Sequence, residues 1–79
     1  MNNKEKYTQV FMSCFSLEES DLNDELVYNS ISEWDSVGHM GLIANLEDTF
    51  DIMMETDDII DFSSYHKGME ILAKYGVQF

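Results

Sequence analysis

Proline and arginine are both absent from the 79-residue sequence, and glycine occurs only four times. Without proline, no position is barred from a helix interior by a missing N–H or by a ring clash. Apolar residues recur with helical periodicity, so we expect an all-α four-helix bundle formed by residues 1–79 as a single domain. A core of this size is near the smallest that can maintain a fold alone.

Cysteine occurs once, as Cys14, which excludes a disulfide within the chain. Cys14 falls on an apolar helical stripe, where we expect a buried, unreactive thiol rather than a nucleophile. No stretch approaches the roughly 20 apolar residues that cross a bilayer, and no apolar run near the N-terminus resembles a signal peptide. We therefore expect a soluble, cytoplasmic protein that does not insert into membranes.

Basic side chains are scarce: the four lysines oppose sixteen Asp and Glu residues, and the formal net charge is −12. Between residues 18 and 61 there are fourteen acids and no lysine or arginine. Such a surface repels phosphate backbones and anionic lipids, so we expect neither nucleic acid nor a membrane as partner. The acids could form an ordinary solvated face, or they could dock basic patches of other proteins. We favour docking.

Helical periodicity first appears near the N-terminus. It predicts a helix over about residues 4–16 whose core stripe is Tyr7, Val10, Phe11, Cys14 and Phe15. A long loop follows, and the capping-box spacing of Ser16 and Glu19 predicts a short helical turn at its start. The apolar residues expected to pin this loop onto the bundle are Leu22, Leu26, Val27, Tyr28 and Ile31.

Three more helices follow the long loop. The second should span about residues 36–51, with a core stripe formed by Leu42, Ile43, Leu46 and Phe50. Thr56 or Asp57 should cap one short turn that contains Ile59 and Ile60. The last helix should begin near Ser63 or Ser64 and stop at Gly76. Its predicted stripe is Tyr65, Met69, Leu72 and Ala73.

Most candidate catalytic and metal sites fail on spacing. Ser36 and His39 could meet on one helix, but a catalytic pair also needs an orienting group and an oxyanion hole, for which no glycine-rich turn exists. The acids from Asp48 to Asp61 do not follow calcium-loop spacing, because Ile59 and Ile60 occupy ligand positions. No Cys/His cluster could bind zinc. We expect no enzyme and no metal site.

Ser36 remains as a candidate for chemistry, within Trp34-Asp35-Ser36-Val37. Asp and Ser are both preferred N-caps, so capping alone could explain either residue. A serine at this position would also present its hydroxyl outward, and a phosphodiester there would meet the positive end of the helix dipole. Apolar and acidic residues on the same helix suggest a docking face next to Ser36. These residues are Val37, Met40, Ala44, Glu47 and Asp48.

The same residues resemble the Asp-Ser-Leu attachment motif of acyl carrier proteins, the phosphopantetheine-binding carrier family. The resemblance continues without gaps through Leu46-Glu47-Asp48-Thr49-Phe50 and on to Ile59-Ile60. It extends further to Tyr65, Met69 and Leu72, and is looser before Glu33. It implies an acyl-carrier-like bundle in which Ser36 bears 4′-phosphopantetheine, derived from coenzyme A, and Asp35 contributes to recognition. The arm's thiol, rather than Cys14, would hold an acyl group as a thioester.

The implied partners are a phosphopantetheinyl transferase, a loading ligase, and an acyltransferase or synthase with a basic docking patch; we expect a monomer. Gly38 and Gly41 depart from the acids that many fatty-acid carriers have on this helix, and Val37 and Tyr65 also differ from the usual residues. The motif resembles that of stand-alone carriers in bacterial secondary or surface-polysaccharide pathways. Two alternatives stay open: an aminoacyl or peptidyl carrier, and an acidic interaction module whose Ser36 is never modified.

Overall fold

Four α-helices make up the regular structure of the computed structural model, which describes residues 2–79. They are α1 (Asn3–Phe15), α2 (Ser36–Phe50), α3 (Thr56–Asp61) and α4 (Tyr65–Ala73). The long α1–α2 connection contains one 3₁₀ turn, Glu19–Asp21. Within residues 2–79 the β-type pairing is a single isolated bridge between Val27 and Ser64. The predicted all-α four-helix bundle, with three longer helices, a short one and a long first loop, is confirmed.

The predicted turn after α1 exists, but its predicted cap is wrong. Ser16 ends α1 in the left-handed conformation, with φ 55°, and its amide bonds back to the carbonyl of Met12. The capping box is instead closed by Glu18 and Asp21 around the 3₁₀ turn. Ser16 is therefore the C-cap of α1 and not the N-cap of the following turn.

The end of α4 follows the prediction for Gly76, which has a φ of +88°. The Val77 amide bonds to the carbonyl of Leu72, and the Gly76 amide bonds to that of Ala73. This pair of bonds defines a Schellman motif, which needs a left-handed residue at the position of Gly76. At the other end, Ser64 caps α4 by accepting the Lys67 amide at 2.9 Å, which decides between the two predicted caps.

Most residues of the core stripes predicted for α1 and α2 are buried, although Val10, Cys14 and Phe50 are only half-buried. Ala73 is exposed, so its predicted place in the core is wrong. Val27 and Tyr28 are partly exposed, but both attach the first loop to the bundle, Val27 through its bridge to Ser64 and Tyr28 through its ring against Trp34. The buried residues are Tyr7, Phe11, Phe15, Leu26, Trp34, Leu42, Ile43, Leu46, Met54, Phe62, Tyr65, Ile71, Leu72 and Val77. Trp34, Met54, Phe62, Ile71 and Val77 were not predicted.

Close packing at Gly68 connects α4 to α1. The hydroxyl of Tyr7 donates to the carbonyl of Tyr65 at 2.6 Å and is buried there. A Cβ on Gly68 would lie 2.2 Å from that hydroxyl oxygen and 2.2 Å from the ring of Phe62. Because atoms cannot approach so closely, only glycine lets the Tyr7 hydroxyl reach the first turn of α4. The aromatic core and the start of α4 are thereby held in one arrangement.

The short helix α3 is tied to the C-terminal turn by Asp58, Lys74 and Tyr75, which we call the Asp58 clamp. The buried Asp58 carboxylate accepts from Lys74 Nζ and from the Tyr75 hydroxyl, both at 2.5 Å. The Tyr75 oxygen in turn accepts the Glu55 amide at 2.9 Å. The hydrogen bonds from Lys74, then from Tyr75, lower the pKa of the Asp58 carboxyl.

We expect Asp58→Asn to lower the free energy of unfolding at neutral pH. Because the pKa of Asp58 is lowered on folding, its contribution is fully present above the unfolded value of about 3.9 and disappears as the pH falls through the folded value. Urea unfolding across that pH range should therefore show a weaker loss of stability for Asp58→Asn than for the wild type. Asp57→Asn, which removes an exposed carboxylate from the same helix, is the control. Equal pH dependence for all three proteins would contradict the prediction.

Candidate functional site

Asp35 and Ser36 have different structural roles at the start of α2. Asp35 is the N-cap, and its Oδ1 accepts the amide of Gly38 at 2.8 Å. Its carbonyl also accepts the amide of His39 at 2.7 Å. Ser36 is the first helical residue, and it is exposed. Capping therefore explains Asp35 and leaves the Ser36 hydroxyl unneeded for starting the helix.

Trp34, two residues before Ser36, is fully buried. Its indole Nε1–H donates to Nδ1 of His39 at 2.9 Å. The other ring nitrogen of His39, Nε2, lies 2.8 Å from the carbonyl oxygen of Ile59. Because Nδ1 must accept and Nε2 must donate, these contacts require the neutral imidazole with its hydrogen on Nε2. One histidine thus connects the loop before Ser36, helix α2 and helix α3.

Gly38 is needed where the loop crosses the first turn of α2. A Cβ at this position would lie 1.9 Å from the carbonyl oxygen of Glu33, which is far inside van der Waals contact. Gly41, one turn further on, faces open space, with no such neighbour within 4 Å. Gly38 and Gly41 stand where many fatty-acid carriers have acids. The packing of the loop requires a glycine at position 38 but not at position 41.

A pocket of about 370 Å³ opens beside Ser36. It lies between α2, α3 and the first loop, and we call it the Ser36 pocket. No carboxylate or ammonium group lines it. The residues around it are Tyr28, Ser36, His39, Met40, Ile59, Ile60, Phe62 and Ser63. Phe62 is buried whereas Met40 and Ile60 are largely exposed, so the pocket runs from a surface mouth at Ser36 inward to an aromatic floor.

The predicted docking residues occupy different environments. Val37 and Met40 are 80% and 60% exposed, and Ala44 and Asp48 are also exposed. Glu47 is half-buried, and its Oε2 accepts the amide of Met54 at 2.9 Å. Glu47 thus helps to fix the connection between α2 and α3 through this hydrogen bond. The positions of apolar and acidic residues in the sequence did not predict that role.

Ile60, an apolar residue of the short helix α3, is 71% exposed. It lines the Ser36 pocket together with Met40, and Met40 lies one helical turn from Val37. We call Val37, Met40 and Ile60 the exposed apolar patch. Apolar side chains grouped in this way on a small protein are typical of an interaction surface.

Cys14 lies on α1, in a groove between α1 and α2 that is separate from the Ser36 pocket. Its Sγ accepts from Asn45 Nδ2 at 3.2 Å, and the side chain is half-buried. Burial raises the pKa of the Cys14 thiol, which keeps the sulfur protonated and weakly nucleophilic. This environment supports the expectation of an unreactive cysteine, with less burial than predicted.

No group of three or more His, Cys, Asp or Glu side chains within residues 2–79 is arranged to hold a metal ion. Over the same residues, none of the helices combines the length and apolar character needed to span a bilayer. No protein-family model matches the chain, and no curated protein matches it. The geometry around Ser36 therefore has to be interpreted from the chain's own residues.

Gly41→Ala should raise the free energy of unfolding by about 1 kcal/mol, because alanine is the better helix former and the added methyl group meets open space. Gly38→Ala should lower it by about 1–3 kcal/mol, because the new Cβ collides with the backbone of Glu33. Urea unfolding of the two variants compares the same chemical change one helical turn apart. A stabilising Gly38→Ala would show that the Glu33 carbonyl does not cross α2 as described.

Proposed function

We propose that the protein is an acyl carrier whose Ser36 bears a 4′-phosphopantetheine arm. The observation that carries the proposal is the separation of tasks at the start of α2: Asp35 caps the helix, while the exposed Ser36 beside it is left for another use. A helix of 15 residues begins at Ser36, so a phosphodiester on its Oγ would meet the favourable end of the dipole. The resemblance of Trp34-Asp35-Ser36-Val37 to the carrier motif points the same way.

The residues around Ser36 fit such an attachment. The Ser36 hydroxyl is accessible to a transferase, and Trp34 anchors the preceding loop in the core. The Ser36 oxygen would lose its proton and bond to the pantetheine-side phosphorus of coenzyme A, the pyrophosphate bond would break, and adenosine 3′,5′-bisphosphate would leave. Asp35 would hold the turn that presents Ser36. The arm supplies, when attached, a thiol that holds the cargo as a thioester. A fixed root for a long flexible arm is what a shuttling carrier needs.

The surroundings of Ser36 also favour a particular cargo. The Ser36 pocket begins at the attachment residue and is lined without carboxylates or ammonium groups. An apolar acyl group can be shielded from water there, whereas a charged amino group would lose hydration without gaining a partner. The pocket therefore favours an acyl carrier over the aminoacyl alternative.

Partner enzymes would recognise the exposed apolar patch and the acids beside it. Val37, Met40 and Ile60 offer apolar contacts, and Asp48 offers a negative charge on the same helix. Complementary basic patches on a transferase, a loading ligase or an acyltransferase would be steered to this face. The proposal keeps the expected cytoplasmic location and monomeric state.

Intact-mass spectrometry tests the attachment directly. Unmodified protein incubated with coenzyme A, magnesium and a broad-specificity phosphopantetheinyl transferase should gain one phosphopantetheinyl group, because the Ser36 hydroxyl is accessible. Ser36→Ala should gain none. A folded, unmodified wild type that stays unchanged, also with a transferase from its own source, would leave the unmodified interaction module as the better proposal.

Two methionines provide a matched test of the docking face. Met40→Lys should lower kcat/KM of the transferase about tenfold, because it removes an apolar contact and adds a positive charge to the face that should attract basic partners. Met53→Lys makes the same change at an 86% exposed residue. Met53 follows the C-terminal end of α2, which lies about 15 Å along the helix axis from Met40, and this variant should have little effect. Equal losses in the two variants would argue against a localised docking face.

A further inference from the structure

Helix α3 depends on contacts with its neighbours. It has six residues, and no side chain caps its N-terminus, so it has little stability of its own. The Asp58 clamp holds it on the side of the C-terminal turn. At the next residue, His39 donates to the carbonyl of Ile59. These two attachments hold α3 against the rest of the bundle, and only the second lies at the Ser36 pocket.

The ring of His39 is fixed from several directions. Trp34 donates to its Nδ1 and lies nearly parallel to it, with ring centroids 6.2 Å apart and an interplanar angle of 16°. The edges of Tyr28 and Phe62 approach it at centroid distances of 5.6 and 6.0 Å. The imidazole therefore cannot turn without breaking both of its hydrogen bonds.

His39 also separates two apolar regions. It lines the Ser36 pocket, as do Tyr28 and Phe62, whereas Trp34 behind it is fully buried in the core and does not line the pocket. The pocket volume of about 370 Å³ is near the lower limit of small-molecule sites, which span about 300–1,000 Å³. Removal of the imidazole, or movement of α3 away from it, would extend the pocket towards the aromatic core.

We propose that His39 is a specificity-determining residue: its hydrogen bonds to Trp34 and Ile59 close the inner end of the Ser36 pocket, so that the pocket takes a short apolar acyl group and excludes a long one. This inference rests on the proposed function, since the acyl group reaches the pocket from Ser36. It names the substrate class that the acyl-carrier proposal leaves open. It also assigns α3 as the element that must move before a longer chain can enter.

The first experiment uses the unmodified protein, so it does not depend on attachment at Ser36. Nitrogen-15 NMR of the His39 ring should show the Nε2–H tautomer. His39→Leu, which removes both hydrogen bonds, should raise amide hydrogen exchange in α3 at least tenfold. His39→Gln can still accept from Trp34 and donate to Ile59, and should restore slow exchange. Equal exchange in the leucine and glutamine variants, or the Nδ1–H tautomer, would overturn the role of His39.

The second experiment measures the size limit. A transferase would load acetyl, hexanoyl and dodecanoyl phosphopantetheine onto Ser36 from the corresponding acyl-coenzyme A. In the wild type, the thermal midpoint should rise from the acetyl to the hexanoyl form and then stay level for the dodecanoyl form, because further methylenes remain in water. In His39→Leu the rise should continue to dodecanoyl, and His39→Gln should behave like the wild type.

The outcomes separate the two proposals. Failure of the wild type to accept the arm defeats the proposed function and the acyl inference with it, while the exchange data still decide whether His39 holds α3. Loading that succeeds with a midpoint rising steadily to dodecanoyl in the wild type overturns the size limit alone. A midpoint that does not change with any acyl group also overturns it, since the cargo would then lie outside the pocket. If His39→Leu fails to fold, the ring tautomer still tests the hydrogen bonds of His39, and the chain-length dependence of the wild type still tests the size limit.

Discussion

The buried N–H of Trp34 is the constraint on which the site depends. A fully buried indole donor without an acceptor would cost about 1–3 kcal/mol, and Nδ1 of His39 supplies that acceptor. The bond places the histidine hydrogen on Nε2, which then needs an acceptor of its own and finds the carbonyl of Ile59. One buried donor thereby sets the direction of a hydrogen-bond chain that crosses the first loop, α2 and α3. The pocket beside Ser36 exists where this chain holds those three elements together.

The position of Trp34 also explains the local sequence around Ser36. Because the indole enters the core, the backbone just before it must run close over the first turn of α2, where the Glu33 carbonyl occupies the place of a Gly38 side chain. The chain then turns outward through the Asp35 cap, and Ser36 is left at the surface. The glycine that departs from the carrier pattern is thus a consequence of how the loop is anchored, and acidic residues could not replace it.

Periodicity predicted what depends on neighbours in sequence: the four helices, the stripes of α1 and the end of α4 at Gly76. It did not predict features that depend on distant partners. Ile60 carries an apolar side chain in a plausible core position, but the attachment of Ile59 to His39, 20 residues away, and of Asp58 to Lys74, 16 residues away, fixes α3 with Ile60 outward. Ala73 is exposed because Ile71 and Leu72 face the core. Trp34 and His39 carry no local signal, since their pairing exists only once the loop folds back.

The distribution of charge complements this arrangement. Of the four lysines, Lys74 is paired with Asp58 and Lys67 lies 3.7 Å from Glu70, so two of the few cations serve α3 and α4 and none lies on α2. An unbalanced charge of −12 destabilises a compact chain by self-repulsion. Exposure of Val37, Met40 and Ile60 to water also leaves apolar surface unburied, which reduces the stability of a domain with so small a core. The second of these costs falls beside Ser36, because Met40 and Ile60 line the pocket there. The proposed docking function would account for this exposure, since a basic, partly apolar partner surface would cover the apolar side chains and reduce the charge repulsion when it binds.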